Sequence, residues 1–286
     1  MSLITGTTGD DVLAGTTGSD FINGLAGNDE IVAGDGNDLV TAGDGDDQIT
    51  AGNGNDLVQG NAGNDTIYGN AGDDILLGGA GDDTINTGDG SNTADGGAGD
   101  DFISAGGNDD LLIGNDGGDI ITANSGNDVV IGGAGADLLL GEDGNDMIAA
   151  GNDDDQIDGG DGDDVLSGGA GFDTITGGAG ADVFAFTSTS ESAPALPDVV
   201  TDFTSADHDL IDLSCIDANT TKGGNQTFAF IGADAFSGHA GQLRAEQVDA
   251  ATVLVQADVN GDRTADFVIE VHGIESLTLV AGDFVL

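Results

Sequence analysis

Residues 51–86 read AGNGNDLVQ, GNAGNDTIY, GNAGDDILL and GGAGDDTIN, four nine-residue units in strict succession. Each carries Asp at its sixth place and an aliphatic residue at its eighth. Followed outward in the same phase, every ninth residue from Asp11 to Asp182 gives nineteen Asp and one Asn, Asn92. Two residues before it stands Gly in eighteen of the twenty units, the departures being Asn108 and Asp153. Two residues after it stands an apolar residue without exception: Leu13, Ile22, Ile31, Val40, Ile49, Val58, Ile67, Leu76, Ile85, Ala94, Ile103, Leu112, Ile121, Val130, Leu139, Ile148, Ile157, Leu166, Ile175 and Phe184. A phase held over 171 residues demands a structural period accurate to one residue.

Glycine at places 1, 2 and 4 of the unit admits the positive φ that aims successive carbonyls to one side, and Asp at place 6 adds carboxylate oxygen. An all-oxygen, carbonyl-rich donor set suits Ca2+ at about 2.3–2.6 Å, whereas Mg2+ would keep its waters in a tighter octahedron. The last three places form a short strand whose side chains alternate, so place 8 points in and places 7 and 9 point out. Two units then make an 18-residue coil with a strand on each side. At about 4.8 Å per step, ten stacked coils would run roughly 48 Å. The expected fold is all-β: a right-handed parallel β-roll, a β-solenoid of about ten 18-residue coils over residues 1–185, capped by a small C-terminal β module over residues 186–286.

Successive turns alternate between the two edges of such a roll. Asp11, Asp29, Asp47, Asp65, Asp83, Asp101, Asp119, Asp137, Asp155 and Asp173 line one edge. Asp20, Asp38, Asp56, Asp74, Asp110, Asp128, Asp146, Asp164 and Asp182 line the other, interrupted by Asn92. With one ion between each turn and the next on its edge, the array would hold up to about 18 Ca2+. Place 2 departs from Gly at Thr7, Thr16, Leu25 and Glu142, while Asn61, Asn70, Asn115 and Asn124 tolerate a left-handed backbone there. The first coil and the neighbourhoods of Asn92, Asn108 and Asp153 are therefore expected to bind weakly or stay empty.

Three Lys plus Arg against 54 Asp plus Glu give a net charge of −51, which excludes nucleic acid as a partner and makes an anionic membrane repulsive. With 53 Gly and 4% aromatic residues, the ion-free chain has the composition of a disordered polymer. Eighteen Ca2+ would cancel 36 of the 51 excess charges and leave −15, so calcium is expected to act as a folding cofactor. The opening MSLITGTTGDD lacks the basic and apolar regions of a cleaved secretory signal, and no segment approaches the roughly 20 apolar residues of a membrane span.

The unit G-G-x-G-x-D-x-U-x, with U apolar, resembles the calcium-binding nonapeptide repeat of RTX proteins. Beyond residue 185 the period stops, and Pro194, Pro197, Lys222, Arg244 and Arg263 enter. Short strands are read at 199–203, 210–213, 228–231, 253–255, 267–269 and 277–279. GGAGADVFAFT at 177–187, DVVTDFT at 198–204, LIDLS at 210–214, FIGADAFSGHAGQLR at 230–244, DVNGD at 258–262, ADF at 265–267 and the terminal DFVL are similar to the C-terminal region of serralysin-type secreted metalloproteases. The H-E-x-x-H zinc helix of those enzymes has no counterpart here: none of His208, His239 and His272 is followed by Glu or spaced i, i+4. No protease activity carries over, and no catalytic residue is assigned. The resemblance implies export by a type I ABC secretion system that reads an uncleaved terminus, matched here by Asp283, Phe284, Val285 and Leu286. A chain disordered at cytosolic calcium could thread such a channel and fold outside, so an extracellular or surface-associated location is expected.

Asp258, Asn260, Asp262 and Asp266 have the spacing of a calcium loop, although Ile269 stands where an EF-hand has Glu; Asn260-Gly261 alternatively reads as a hairpin turn. The three histidines read as surface or hairpin residues, and Cys215 as a buried small hydrophobe near the LIDLS strand. Place 7 is mixed in odd units, yet in even units it reads Phe21, Leu39, Leu57, Ile75, Thr93, Leu111, Val129, Met147, Val165 and Val183. Such a stripe would be covered by the C-terminal module or by self-association through this face. The leading functional expectation is a secreted, non-enzymatic calcium-binding protein with a structural role. Two alternatives are a membrane-active or signalling RTX protein and a detached accessory module of a secreted enzyme.

Overall fold

The ninefold period becomes two parallel sheets with one strand per unit. The computed structural model describes residues 1–274 and 276–286, in two units, Met1–Met147 and Ile148–Leu286. In the first unit, one sheet joins Leu3–Thr5, Phe21–Ala26, Leu39–Asp44, Leu57–Ala62, Ile75–Ala80, Thr93–Ala98, Leu111–Asp116 and Val129–Ala134 in that order. The other joins Val12–Ala14, Glu30–Asp35, Gln48–Asn53, Thr66–Ala71, Thr84–Asn86, Phe102–Ser104, Ile120–Thr122 and Leu138–Asp143. Pairing is parallel, with a register of 18 residues, as in Ile49 opposite Ile67 and Val40 opposite Val58. The chain is an all-β parallel solenoid of about ten turns. All twenty apolar residues of place 8 are buried.

Most strands are six residues long, twice the three expected. They run from place 7 through place 3 of the next unit, because pairing skips place 1 and resumes beyond it, with Gly52 opposite Asn70 and Asn53 opposite Ala71. Place 1 therefore also points inward. Its non-glycine occupants Ala33, Ala42, Ala51, Thr87, Ala105, Ala123 and Ala150 are all buried. From Leu25 onward places 2 and 4 take positive φ, Gly106 excepted, and there the backbones of successive coils are in contact: a Cβ on Gly54 (φ 130°) would lie 2.0 Å from the Gly36 carbonyl oxygen. Leu25 (φ 86°) and Glu142 (φ 73°) adopt this conformation despite bearing side chains, as do Asn108 (φ 78°) and Asp153 (φ 77°) at place 4. The frame thus overrides local preference where the sequence departs from glycine.

The even place-7 residues stack in register, Phe21 beside Leu39, Leu39 beside Leu57 and Leu57 beside Ile75. Each half-covers its neighbours, and Ile75, Met147 and Val165 remain exposed.

In the second unit, Val165–Ala170, Val183–Ala185, Leu210–Asp212 and Phe284–Val285 pair in parallel. Alongside, Gln156–Asp161, Thr174–Ala179, Asp198–Val200 and Phe267–His272 form a second parallel series. Antiparallel Thr252–Asp258 and Gln242–Gln247 extend it, followed by Ala229–Phe230. Phe186 meets Phe267 edge-on at 5.4 Å between ring centroids, and Phe230 meets Phe284 at 5.2 Å. Residues 277–279 form no strand: Leu277 and Leu279 are buried, and the Leu277 N–H bonds the Ala250 carbonyl singly. Gln242–Gln247, by contrast, is a strand that the polar sequence QLRAEQ hides. Cys215 is exposed rather than buried, because a turn at Ser214-Cys215 sends Ile216 inward in its place. Among the described residues no helix is long and apolar enough to cross a membrane.

Candidate metal centre

The aspartates of place 6 end each turn and precede each strand, so their carboxylates fall at the seam between successive coils. From Asp20 to Asp182 they are buried, as is Asn92. Oδ1 accepts the backbone N–H of the place-6 residue one coil earlier, as from Asp20 to Asp38 at 2.7 Å, Asp47 to Asp65 at 2.8 Å, Asp65 to Asp83 at 2.7 Å and Asp155 to Asp173 at 3.0 Å. The geometry gives each Asp a fixed rotamer and uses one of its two oxygens.

The other oxygen carries the chemistry. Oδ2 of Asp29, Asp38, Asp47, Asp56, Asp65, Asp74, Asp83, Asp101, Asp110, Asp119, Asp128, Asp173 and Asp182 is buried and meets no hydrogen-bond donor. Where place 1 of its own unit is glycine, Oδ2 points at it, and a carbonyl from the next coil converges there. A Cβ on Gly60 would lie 2.1 Å from Asp65 Oδ2 and 2.7 Å from the Gly78 carbonyl oxygen; on Gly78, 2.3 Å from Asp83 Oδ2 and 2.6 Å from the Gly96 oxygen; on Gly114, 2.0 Å from Asp119 Oδ2 and 2.7 Å from the Gly132 oxygen. An unpartnered buried carboxylate oxygen is costly. A cradle of one anionic and one carbonyl oxygen, with no nitrogen or sulfur donor, fits a hard cation such as Ca2+. No group of three or more His, Cys, Asp or Glu side chains gathers among the described residues, so the donor set leans on backbone carbonyls, as the glycines suggest.

Burial, reinforced by the charges of Asp83, Asp47 and Asp46, pushes Asp65 up to about 7. Burial likewise lifts Asp101, Asp128 and Asp182 to about 7 and Asp47, Asp56, Asp83, Asp110 and Asp173 to about 6, against the N–H bond that opposes it.

The first coil is built differently. The Thr16 N–H and hydroxyl donate to Asp20 Oδ2 at 2.7 and 2.8 Å, and Thr7 does the same for Asp11 at 2.5 and 2.9 Å. The Ser2 N–H and the Thr16 hydroxyl hold Asp20 down to about 2. Threonine at place 2 thus supplies the donors that elsewhere are missing. At Asn92 the ladder persists, Oδ1 accepting from the Asp74 N–H at 2.9 Å, while Nδ2 donates to the Gly90 carbonyl at 3.0 Å. This neutral amide needs no ion to be satisfied. Beside Asn108, Asp110 keeps a buried Oδ2, although the Asn92 and Gly106 backbone and the Asn92 side chain lower its carboxyl against burial.

Asp198 and Asp209 continue the two ladders beyond the periodic region and were not selected by the ninefold phase. Their Oδ1 atoms accept the N–H of Asp173 at 3.0 Å and of Asp182 at 3.1 Å. The available signal was the triplet of Asp, any residue, apolar residue, present as Asp198-Val199-Val200 and Asp209-Leu210-Ile211. The 258–266 loop is instead a hairpin. Asp258 accepts the N–H of Gly261 and Arg263, and Asp266 accepts that of Val259 and the Asn260 amide. His239 bonds the Ser237 hydroxyl and His272 bonds Glu270.

Models of the RTX calcium-binding nonapeptide repeat (4 copies) match residues 5–40, 25–58, 50–85, 86–121, 113–148, 122–157 and 158–186, continuous from 5 to 186. Among solved structures, the chain is similar to the solution structures of two subunits of the Azotobacter vinelandii mannuronan C5-epimerase. The AlgE6R3 subunit is 21% identical, with 63% of this chain and 78% of that one covered and a TM-score of 0.35. The AlgE6R2 subunit is 22% identical, with 63% and 90% covered and a TM-score of 0.31. No curated protein matches the chain.

Asp65→Asn should lower the number of bound Ca2+ by about one or two per chain in equilibrium dialysis, since each carboxylate lies between two coils. Asp20→Asn, at a site already closed by Thr16, should leave the number unchanged. A carboxyl whose folded pKa is raised favours folding fully below the unfolded value near 4, and that contribution is lost as pH rises through 6–7. In chelator, circular dichroism should accordingly show strand signal growing as the pH falls from about 8 to about 5.

Proposed function

Because the chain belongs to the RTX calcium-binding nonapeptide-repeat family, whose repeats bind calcium, we propose that it is a secreted, non-enzymatic protein that folds on meeting Ca2+ outside the cell and serves as a structural or surface-associated module. The observation that carries this reading is the double column of buried carboxylates whose second oxygens have no donor. Asp29 to Asp182, with their partners in the next coil, would hold the ions, and the bound ion would supply positive charge at the Oδ2 and carbonyl oxygens. Asp11 and Asp20 would serve as a hydrogen-bonded end of the array.

Transit through a type I ABC system is part of the proposal, supported by the serralysin-like stretches and by the dependence of the fold on an ion scarce in the cytosol. The terminal Phe284–Val285 is a strand against Leu210–Asp212 in the folded unit, so a transporter would read it before folding. Self-association would use the even place-7 stripe of Phe21, Leu39, Leu57 and Ile75.

X-ray scattering at neutral pH tests the reading. In chelator the chain should show the dimensions of an unfolded polymer, a radius of gyration of about 60 Å, contracting severalfold in millimolar Ca2+. A chain equally contracted in chelator would refute calcium-dependent folding.

A further inference from the structure

We propose that Asp198, which lies outside the nonapeptide array, is a Ca2+ ligand that together with Asp173 completes one more site beyond the last repeat. The inference rests on the calcium reading of the array. Asp198 follows Asp173 by 25 residues instead of 18, the excess being an excursion that includes Pro194 and Pro197. Even so, Asp198–Val200 enters the sheet in the register of the repeats, with Val199 opposite Thr174 and Val200 opposite Ile175. The Asp173 N–H donates to Asp198 Oδ1 at 3.0 Å, the same bond at the same length that Asp155 makes to Asp173.

The ladder then stops. The Asp198 N–H, which in the array would find another aspartate, donates to the Ser192 hydroxyl oxygen at 2.8 Å, and that hydroxyl donates onward to the Val268 carbonyl at 2.5 Å. Asp198 is left fully buried with an Oδ2 that meets no donor, next to the equally donorless Oδ2 of Asp173. The nearby Glu191 has its oxygens engaged by the Thr187 N–H and hydroxyl. The arginines are occupied elsewhere, Arg244 with Glu246 and Gln256 and Arg263 with the Ser237 carbonyl. Among the described residues no ion pair reaches Asp173 or Asp198.

The opposite edge ends without that need. Asp209 accepts the Thr204 N–H at 2.7 Å through Oδ2, a closure of the kind Thr7 and Thr16 give to Asp11 and Asp20. Three ends of the two ladders are thus closed by hydrogen bonds and one is open. The open one lies in the strand between Thr174–Ala179 and Phe267–His272. An ion there makes the order of the C-terminal strands depend on calcium.

The full-length chain in Ca2+ provides the test. Asp198→Asn should bind about one ion fewer than the parent in equilibrium dialysis, and the amides of Phe267–His272 should exchange about tenfold faster, with Leu111–Asp116 unchanged. Asp209→Asn should bind the full number. An unchanged count in a folded Asp198→Asn chain would overturn the proposal. Should that variant not fold, an anomalous difference map of parent crystals grown in Ca2+ decides: a peak beside Asp198 Oδ2 is expected, and a map with peaks along Asp29–Asp128 but none there overturns it. A parent chain that binds no Ca2+ at all would instead refute the reading of the array.

Discussion

A carboxylate has two oxygens, and at sites such as Asp65, Asp83 and Asp119 this fold gives a hydrogen-bond donor to only one of them. Between Asp29 and Asp182 the N–H of one coil fixes Oδ1 of the next, so each side chain is buried, held in one orientation and stacked above its predecessor. At Asp65, Asp83 and Asp119, Oδ2 is then carried to a place-1 glycine where a carbonyl of the next coil also converges, and no hydrogen-bond donor meets it. Such a column cannot be ionised and stable on its own, because desolvation and mutual repulsion act in the same direction. Protons or an oxygen-seeking cation must complete it.

The rest of the architecture serves that column. Small residues at place 1 leave room for Oδ2, and the positive φ at places 2 and 4 lets successive coils approach until carbonyl and carboxylate share a site. Place 8 supplies a continuous apolar core between the sheets. Where the design is relieved of its ion, the substitution is local and chemically legible: a threonine hydroxyl at Asp20, an amide at Asn92, a backbone N–H at Asp209. The protein therefore contains both open and closed versions of one site, and the difference lies in one or two local donors.

The two-sheet solenoid, its 18-residue register and the inward column of place 8 followed from the spacing of Asp and apolar residues, since a period of nine with one inward position per strand admits few packings. The length of the strands did not follow: glycine at places 1 and 2 signals turn in isolation, yet Gly52 and Asn53 pair with the next coil because stacking supplies partners that no local propensity encodes. Place 1 escaped notice as a core position for the same reason, although its restriction to Gly, Ala and Thr was visible. Thr7 and Thr16 read as poor glycine substitutes; that their hydroxyls close the site required the rotamer. Asp198 and Asp209 lay beyond the phase, displaced by insertions that parallel pairing absorbs. In the C-terminal strands, short alternating runs located Val253–Val255 and Phe267–Ile269 but overvalued residues 277–279, where burial occurs without a ladder.

The central claim is that the fold needs a cation seated at the carboxylate oxygens and not merely a weaker net charge. Far-UV circular dichroism at neutral pH in chelator with about 1 M NaCl separates the two, because the screening length falls to about 3 Å while no divalent ion is available to the cradles. The expected result is an absence of strand signal in salt alone and its full appearance when millimolar Ca2+ is added. Strand signal of equal amplitude in salt without Ca2+ would contradict the account.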